Sequence, residues 1–542
     1  MSRTQPARLA ALAAAFLALP LGALAAAPTI TQILNNSSTT PKGSPNYGIA
    51  PSSIFIVTGT GLADPGTPVL QNTQAAGGLP LTLNGASITV VVNGVTVHPA
   101  LYYTSPTQLA AVLPAGTPVG TGTLTVTHNG ATSEEAEIPV VASAVGFNHF
   151  NQIPIPLGVS NVNVDIGVAT DNSTGALLTF TNSGTPGEII VLWATGLGAD
   201  PADSDTEFSS GPHAVNTPLE IYIGGVRATI YYQGSAGYPG VNQINVAIPV
   251  SAVIGCYVPL VAVTGTVISN VVMLPIHPGG GACVEDQGTP STGDQILKNT
   301  LDTHRVASVG LLQTNATNAK GTTVTNSASA AFVKDSGLLA GATGRSGIIS
   351  PGGCAVGPYL PGGKLTIAGL DGGSVSLTGP KGLAVTLAPG LVQGTSGATL
   401  AAGAIPPSGG TFTFTGSGGA DVGPFTSTVT LTNPLFVWTN ESAAATIDRT
   451  KPLTFTWTGG NPGTFITLSG SVTAKGLTIG FSCRVLVDPG KFTVPAYILF
   501  GMPAGSGGAL MQQQVISTFP ITGVDTSGLT TVIDYNVTAT YK

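Results

Sequence analysis

Short runs in which apolar and polar residues alternate, each closed by glycine, proline or asparagine, recur along most of this chain. Thr411-Phe412-Thr413-Phe414 and Leu453-Thr454-Phe455-Thr456-Trp457 are examples. A period of two with turn residues at both ends predicts half-buried strands. Gly373-Ser374-Val375-Ser376-Leu377 and Gly363-Lys364-Leu365-Thr366-Ile367 read the same way, and Phe492-Thr493-Val494-Pro495 opens a strand after the Asp488-Pro489-Gly490 turn. Helical spacing occurs at Ile296, Leu297, Leu301, Val306 and Leu311-Leu312, predicting one helix within 294–312. Ser251 to Ile276 carries no charge and is long enough to span a bilayer. Pro259, Gly265 and Asn270 interrupt it, so two buried strands turning at Thr264-Gly265 are expected instead.

Several of these runs occur twice, in one order. Ile54-Phe55-Ile56-Val57 leads to Thr60-Gly61-Leu62 and Asp64-Pro65; Ile189-Ile190-Val191-Leu192 leads to Thr195-Gly196-Leu197 and Asp200-Pro201. Val92-Asn93-Gly94-Val95 answers to Ile223-Gly224-Gly225-Val226, and Tyr102-Tyr103 to Tyr231-Tyr232. Thr107-Gln108-Leu109 answers to Asn242-Gln243-Ile244, and Pro114 to Pro249, with the offset between 129 and 136 residues throughout. Five blocks in one order imply an internal duplication. Asn-Gly and Gly-Gly supply the positive φ angles of two-residue hairpins. Each Thr-Gly-Leu is expected to bend a strand out of its sheet with its leucine plugging the core. In each tyrosine pair one ring should be buried and the other cover the rim.

These blocks resemble the IPT/TIG family of immunoglobulin-like domains, and more closely a tandem IPT/TIG-like module of exported proteins of some soil bacteria. Trp193-Ala194-Thr195-Gly196-Leu197-Gly198 adds to the likeness, which covers roughly residues 28–283. The resemblance implies a spacer, adhesive or accessory role and carries over no catalytic residue. A longer loop from Pro65 to Leu79 departs from the second copy.

Length and composition sharpen this picture. A chain of 542 residues exceeds one core. Only 8% of residues are charged, yet 42% are hydrophobic and the mean hydropathy is +0.37, so the chain should fold with a surface of Thr, Ser, Asn and Gly. The fold class is all-β: tandem immunoglobulin-like sandwiches followed by one or two further β-sandwich domains. The expected division is a signal peptide at 1–25, modules at 28–142 and 143–283, a linker at 284–300, a β-rich domain at 301–433 and an immunoglobulin-like sandwich at 434–542. The leader has a basic start at Arg3 and Arg8, an apolar run from Leu9 to Leu19 and a cleavage site at Ala23-Leu24-Ala25. Export to the cell surface, extracellular space or periplasm follows, with no other transmembrane segment. Net charge is −7, and −9 once the two leader arginines are gone, which excludes nucleic acid as a partner.

The candidate chemistry is sparse. Cys256, Cys283, Cys354 and Cys483 suggest two disulfides. Four cysteines allow three pairings, of which Cys256–Cys283 with Cys354–Cys483 is the local one; the second bridge would cross the expected break near Asn433-Pro434. Six scattered histidines show no ligand spacing, and no nucleophile elbow or phosphate loop is found. Gly344-Arg345-Ser346-Gly347 reads as a plain glycine-rich loop. Asp200, Asp203, Asp205 and Glu207 form the one acidic constellation, a calcium candidate set against a solvated loop. Glu134-Glu135 and Glu137 read as a charged sheet edge. Trp438 and Trp457 are core anchors or a sugar-stacking platform. No cofactor is implied. The leading expectation is a non-enzymatic exported protein that binds a polysaccharide or other extracellular surface, or acts in adhesion. A hydrolase with its site in 295–542 and a structural spacer are the alternatives.

Overall fold

The computed structural model describes residues 26–66, 68–70, 78–151, 165–208, 212–286, 290–301, 303–336, 349–359 and 367–542. The expected leader, Gly344–Gly347 and most of the 363–367 run lie outside the described residues. About 54% of the chain is strand and 4% helix, so the class is all-β.

In the first copy one sheet runs Thr29–Asn35, Ser53–Thr60, Gln108–Leu113, Ala100–Thr104, Val69–Leu70; the facing sheet runs Ala136–Val140, Gly120–His128, Ala86–Val92, Val95–Val97. The second copy repeats both orders. One sheet runs Gly146–Phe147, Ile189–Thr195, Asn242–Ala247, Thr229–Ser235, and the other holds Val272–Ile276, Gly255–Thr264, Glu220–Ile223, Val226–Arg227 in succession. Two antiparallel sheets face each other across an apolar core in both copies. Each is an immunoglobulin-like sandwich.

The repeated blocks perform the local work expected of them. Leu62 and Leu197 are fully buried after glycines at positive φ, 65° at Gly61 and 93° at Gly196. Both hairpin dipeptides have positive φ at each residue: 50° and 80° at Asn93-Gly94, 57° and 81° at Gly224-Gly225. The tyrosine pairs depart from expectation, since no ring of the four is buried. The register slips between Leu101 and Tyr103, and again between Ile230 and Tyr232. Tyr102 and Tyr231 are thus the extra residues of matching β-bulges, and a bulge breaks face alternation and re-aims its side chain.

The later part of the chain is dominated by an 11-stranded sheet. Its main path runs Cys354–Pro358, Leu477–Leu486, Phe465–Ala474, Gly505–Ser517, Thr526–Tyr541, Thr303–Asn318, Gly321–Ser336, Thr395–Leu400, Ala388–Pro389. A 4-stranded sheet (Leu383–Thr386, Val375–Gly379, Gly410–Gly416, Phe425–Leu431) and a 3-stranded sheet (Val437–Trp438, Leu453–Thr458, Lys491–Val494) share one core with its inner side. Strands from both sides of Asn433-Pro434 pair in the large sheet, Thr303–Asn318 with Thr526–Tyr541, while the 4-stranded sheet lies wholly before that peptide and the 3-stranded sheet wholly after it. The expected linker contains a hairpin, Val284–Asp286 with Pro290–Thr292. The helix is shorter than expected, Gly293–Leu301, and Thr303–Asn318 is strand. Ala307, Val309 and Leu311 alternate inward there, and pairing on both edges outweighs a weak helical spacing.

Both disulfides are the local pair, Cys256–Cys283 and Cys354–Cys483. The second ties adjacent strands of the large sheet, where Cys354 stands opposite Cys483. Ser251 to Ile276 forms strands Gly255–Thr264 and Val272–Ile276, and no helix among the described residues is long and apolar enough to cross a membrane.

Candidate functional site

Trp438 and Trp457 are core residues, 4% and 3% exposed. The Trp438 indole N–H donates to Asn440 Oδ1 at 2.9 Å and that of Trp457 to the Val487 carbonyl at 2.6 Å. They are the core anchors of the first reading, and rings this buried do not form the alternative stacking platform.

The acidic constellation is turned to another use. Asp205 Oδ1 accepts the Ala115 N–H at 2.8 Å, reaching the first sandwich, while Asp203 Oδ2 accepts the Ser235 hydroxyl at 2.5 Å. Asp200 is buried; its Oδ1 accepts the Ala202 N–H at 3.1 Å and its own N–H donates to Ser52 Oγ at 3.0 Å. The Glu207 N–H donates to Ser204 Oγ at 2.8 Å. Burial raises the Asp205 carboxyl above its usual range against the pull of the Ala115 N–H, and nearby Asp203 pushes the same way. Among the described residues no three His, Cys, Asp or Glu side chains are grouped to hold a metal ion. The loop is a clamp between the sandwiches. Around it, Thr195 Oγ1 accepts the Ile54 N–H at 2.9 Å and donates to the Gly240 carbonyl at 2.6 Å. The Tyr102 hydroxyl donates to the Pro239 carbonyl at 2.9 Å, and Phe208 packs edge-on to Tyr102 and Tyr238.

The histidines stay apart: His128 pairs with Asp64 at 2.9 Å and His149 with Asp165 at 3.3 Å. Glu137 lies on the edge strand Ala136–Val140, as expected of a charged edge, and pairs with Lys42 at 3.1 Å.

Sequence reasoning missed two features. The first is Glu285, in the expected linker. It is 1% exposed, and its Oε2 accepts the Cys256 N–H at 2.9 Å and the Ser350 hydroxyl at 2.6 Å. Arg484 Nη1 stands 3.8 Å from Glu285 Oε1, and its guanidinium lies 4.0 Å over the Phe465 ring. Burial lowers the Arg484 pKa, and Glu285 opposes that shift. This pair locks the second sandwich to the large sheet, beside a stacked Tyr222–Tyr497 pair at 4.1 Å.

The second is a trough of about 420 Å³ on the large sheet. Thr538 stands opposite Gly508, Gly508 opposite Ser471, Ser471 opposite Gly480, and Gly480 opposite Gly357. One cross-strand row thus lacks side chains at three of five positions, which leaves a furrow in an otherwise pleated face. Tyr359 walls it: its ring rests where a Cβ on Gly480 would meet Cε2 at 2.5 Å, and it is 41% exposed. Asn318, Ser471, Asn536 and Thr538 also line it, and none of the described residues of the lining carries a charge. A half-exposed aromatic wall beside neutral hydrogen-bonding groups suits an uncharged polar ligand. The signal in the sequence was glycine inside strand patterns, which marks close approach, but only the register shows that these glycines lie in one row.

No family model and no curated protein matches the chain. Among solved structures it is similar to a tetra-tandem repeat from the extending region of a large adhesion protein, at 12% identity over 95% of this chain and 100% of that one, TM-score 0.13. It is also similar to the Bacteroides ovatus protein SGBP-B of a mixed-linkage glucan utilization locus, in complex with a heptasaccharide, at 13% identity over 86% and 93%, TM-score 0.13. Domains 4–9 of the surface layer protein SbsC follow at 11% identity over 92% and 83%, TM-score 0.15. At these values no residue role transfers from any of them.

Proposed function

We propose that this chain is an exported, non-enzymatic, modular β-protein that binds a neutral polysaccharide in the Tyr359 trough, its duplicated IPT/TIG-like half serving as scaffold. The observation that carries the reading is the glycine-rich row beside Tyr359, lined by neutral donors and acceptors. A pyranose presents C–H faces that stack on an aromatic ring and hydroxyls that need such partners. The described residues of the lining include no carboxylate, so among them the acid–base pair of glycoside hydrolysis has no counterpart. The two disulfides and sparse surface charge suit an oxidising compartment outside the cytoplasm.

The test is binding of the full chain to a panel of neutral polysaccharides. Tyr359→Ala should weaken binding about tenfold or more. Gly508→Leu should abolish it by filling the furrow, because a Cβ there meets no atom closer than 3.6 Å and so fits without displacing backbone. Binding unchanged by both substitutions overturns the assignment of the trough. Release of reducing ends from any polymer overturns the non-enzymatic reading.

A further inference from the structure

The face of the first sandwich that the second one covers can be traced, position by position, onto the second sandwich itself. Ile54 and Ala100 both stand opposite Val112 in the first copy; Ile189 and Thr229 both stand opposite Ala247 in the second. Tyr102 and Tyr231 are the residues of the matching bulges. Ala115 and Val250 each follow the closing proline. In the first copy this face is a joint. Ile54, Tyr102 and Phe208 pack around fully buried Ala100 and Val112, and the Ala115 N–H is held by Asp205. In the second copy the equivalent residues lie open, with Ile189 36%, Tyr231 63% and Val250 82% exposed. The large sheet does not cover them, because it packs against Val261, Val263, Ile268 and Tyr222 on the other sheet of that sandwich. Three apolar side chains exposed at the three positions that form a joint next door are unlike singly scattered surface residues.

We infer that this face is a second, unfilled copy of the joint, and that it docks the leading end of another copy of this chain. The end that fills the existing joint presents Thr195 from its Thr-Gly-Leu block and Pro239 from the turn between two strands. The first sandwich carries the same two devices at Thr60 and Pro106, and Thr60 and Gly61 are exposed. A leading end docked on a trailing face is a heterologous contact, so each copy keeps one face of each kind for the next, and association is open-ended or closes into a ring. The inference stands on the duplication and is independent of the trough.

Sedimentation velocity on the full chain, from about 1 µM to about 0.5 mM, tests it with two variants. One carries Tyr231→Lys and Val250→Lys; the other carries Thr60→Arg. All three side chains are exposed, so melting temperatures should match the wild type. The wild type should grow in mass with concentration, and each variant alone should associate at least tenfold more weakly. Mixed, the two variants should form a one-to-one pair, since each retains the face the other has lost. A wild type monomeric throughout the range overturns the inference, and so does association that both variants retain. Failure of the mixture to pair also overturns it, because faces that meet like to like cannot be rescued by mixing.

Discussion

At the residue scale the decisive groups are few because charges are few. Glu285 and Arg484 are both buried, and removing one partner of a buried ion pair leaves the other charge uncompensated. Glu285→Ala also strands the Cys256 N–H and the Ser350 hydroxyl. It should destabilise the chain by about 3–5 kcal/mol in urea unfolding, whereas exposed pairs such as Lys42–Glu137 should be worth under about 1 kcal/mol. Asp448 gives a pH signature. The Thr450 hydroxyl, then Lys451, hold its pKa down at about 2 from the ordinary 3.8. A carboxylate with a depressed folded pKa contributes its stability above the unfolded value and loses it as pH falls through the folded one. Melting temperature should therefore fall less steeply between about pH 4 and about pH 2 in Asp448→Asn than in the wild type.

At the scale of elements, one buried hydroxyl fastens one sandwich to the next. Thr195→Val keeps the shape but leaves the Ile54 N–H and the Gly240 carbonyl without the partner they share. Each unsatisfied group costs about 1–3 kcal/mol, so a loss of about 2–6 kcal/mol is expected in thermal or urea unfolding. Thr60→Val, on the exposed leading end, should change stability by less than about 0.5 kcal/mol. Such elements were partly legible beforehand. The hairpin glycines and core-plugging leucines could be read because their physics is local. The tyrosine bulges could not, because a slip of register is decided by the partner strand. The 303–318 strand was hidden by a faint helical spacing, and one of the two strands that pair with it lies more than 200 residues away, at 526–541. The trough stayed invisible for the same reason: its glycines come from three separate strands.

For the whole molecule, duplication, stapling and the two tryptophans as core anchors were readable, but the service of the acidic loop as a clamp was not. Spacing alone cannot say which donors a carboxylate meets. Since Asp200, Asp203 and Asp205 are engaged with Ala202, Ser235 and Ala115, added calcium or EDTA should leave the melting temperature unchanged; a calcium-dependent rise would restore the metal reading.

The position of Thr526–Tyr541 has a temporal consequence. This strand lies mid-sheet, between Gly505–Ser517 on one edge and Thr303–Asn318 on the other. As the polypeptide emerges amino-end first, both duplicated sandwiches can close early from contacts within about 130 residues of sequence. The large sheet must instead hold its two halves apart until residues 526–541 arrive to join them. Sequence separation of that size slows folding and prolongs the life of unpaired edges. The maturing chain thus passes through a stage with a finished front and an open back, when a chaperone that shields bare strand edges has most to protect.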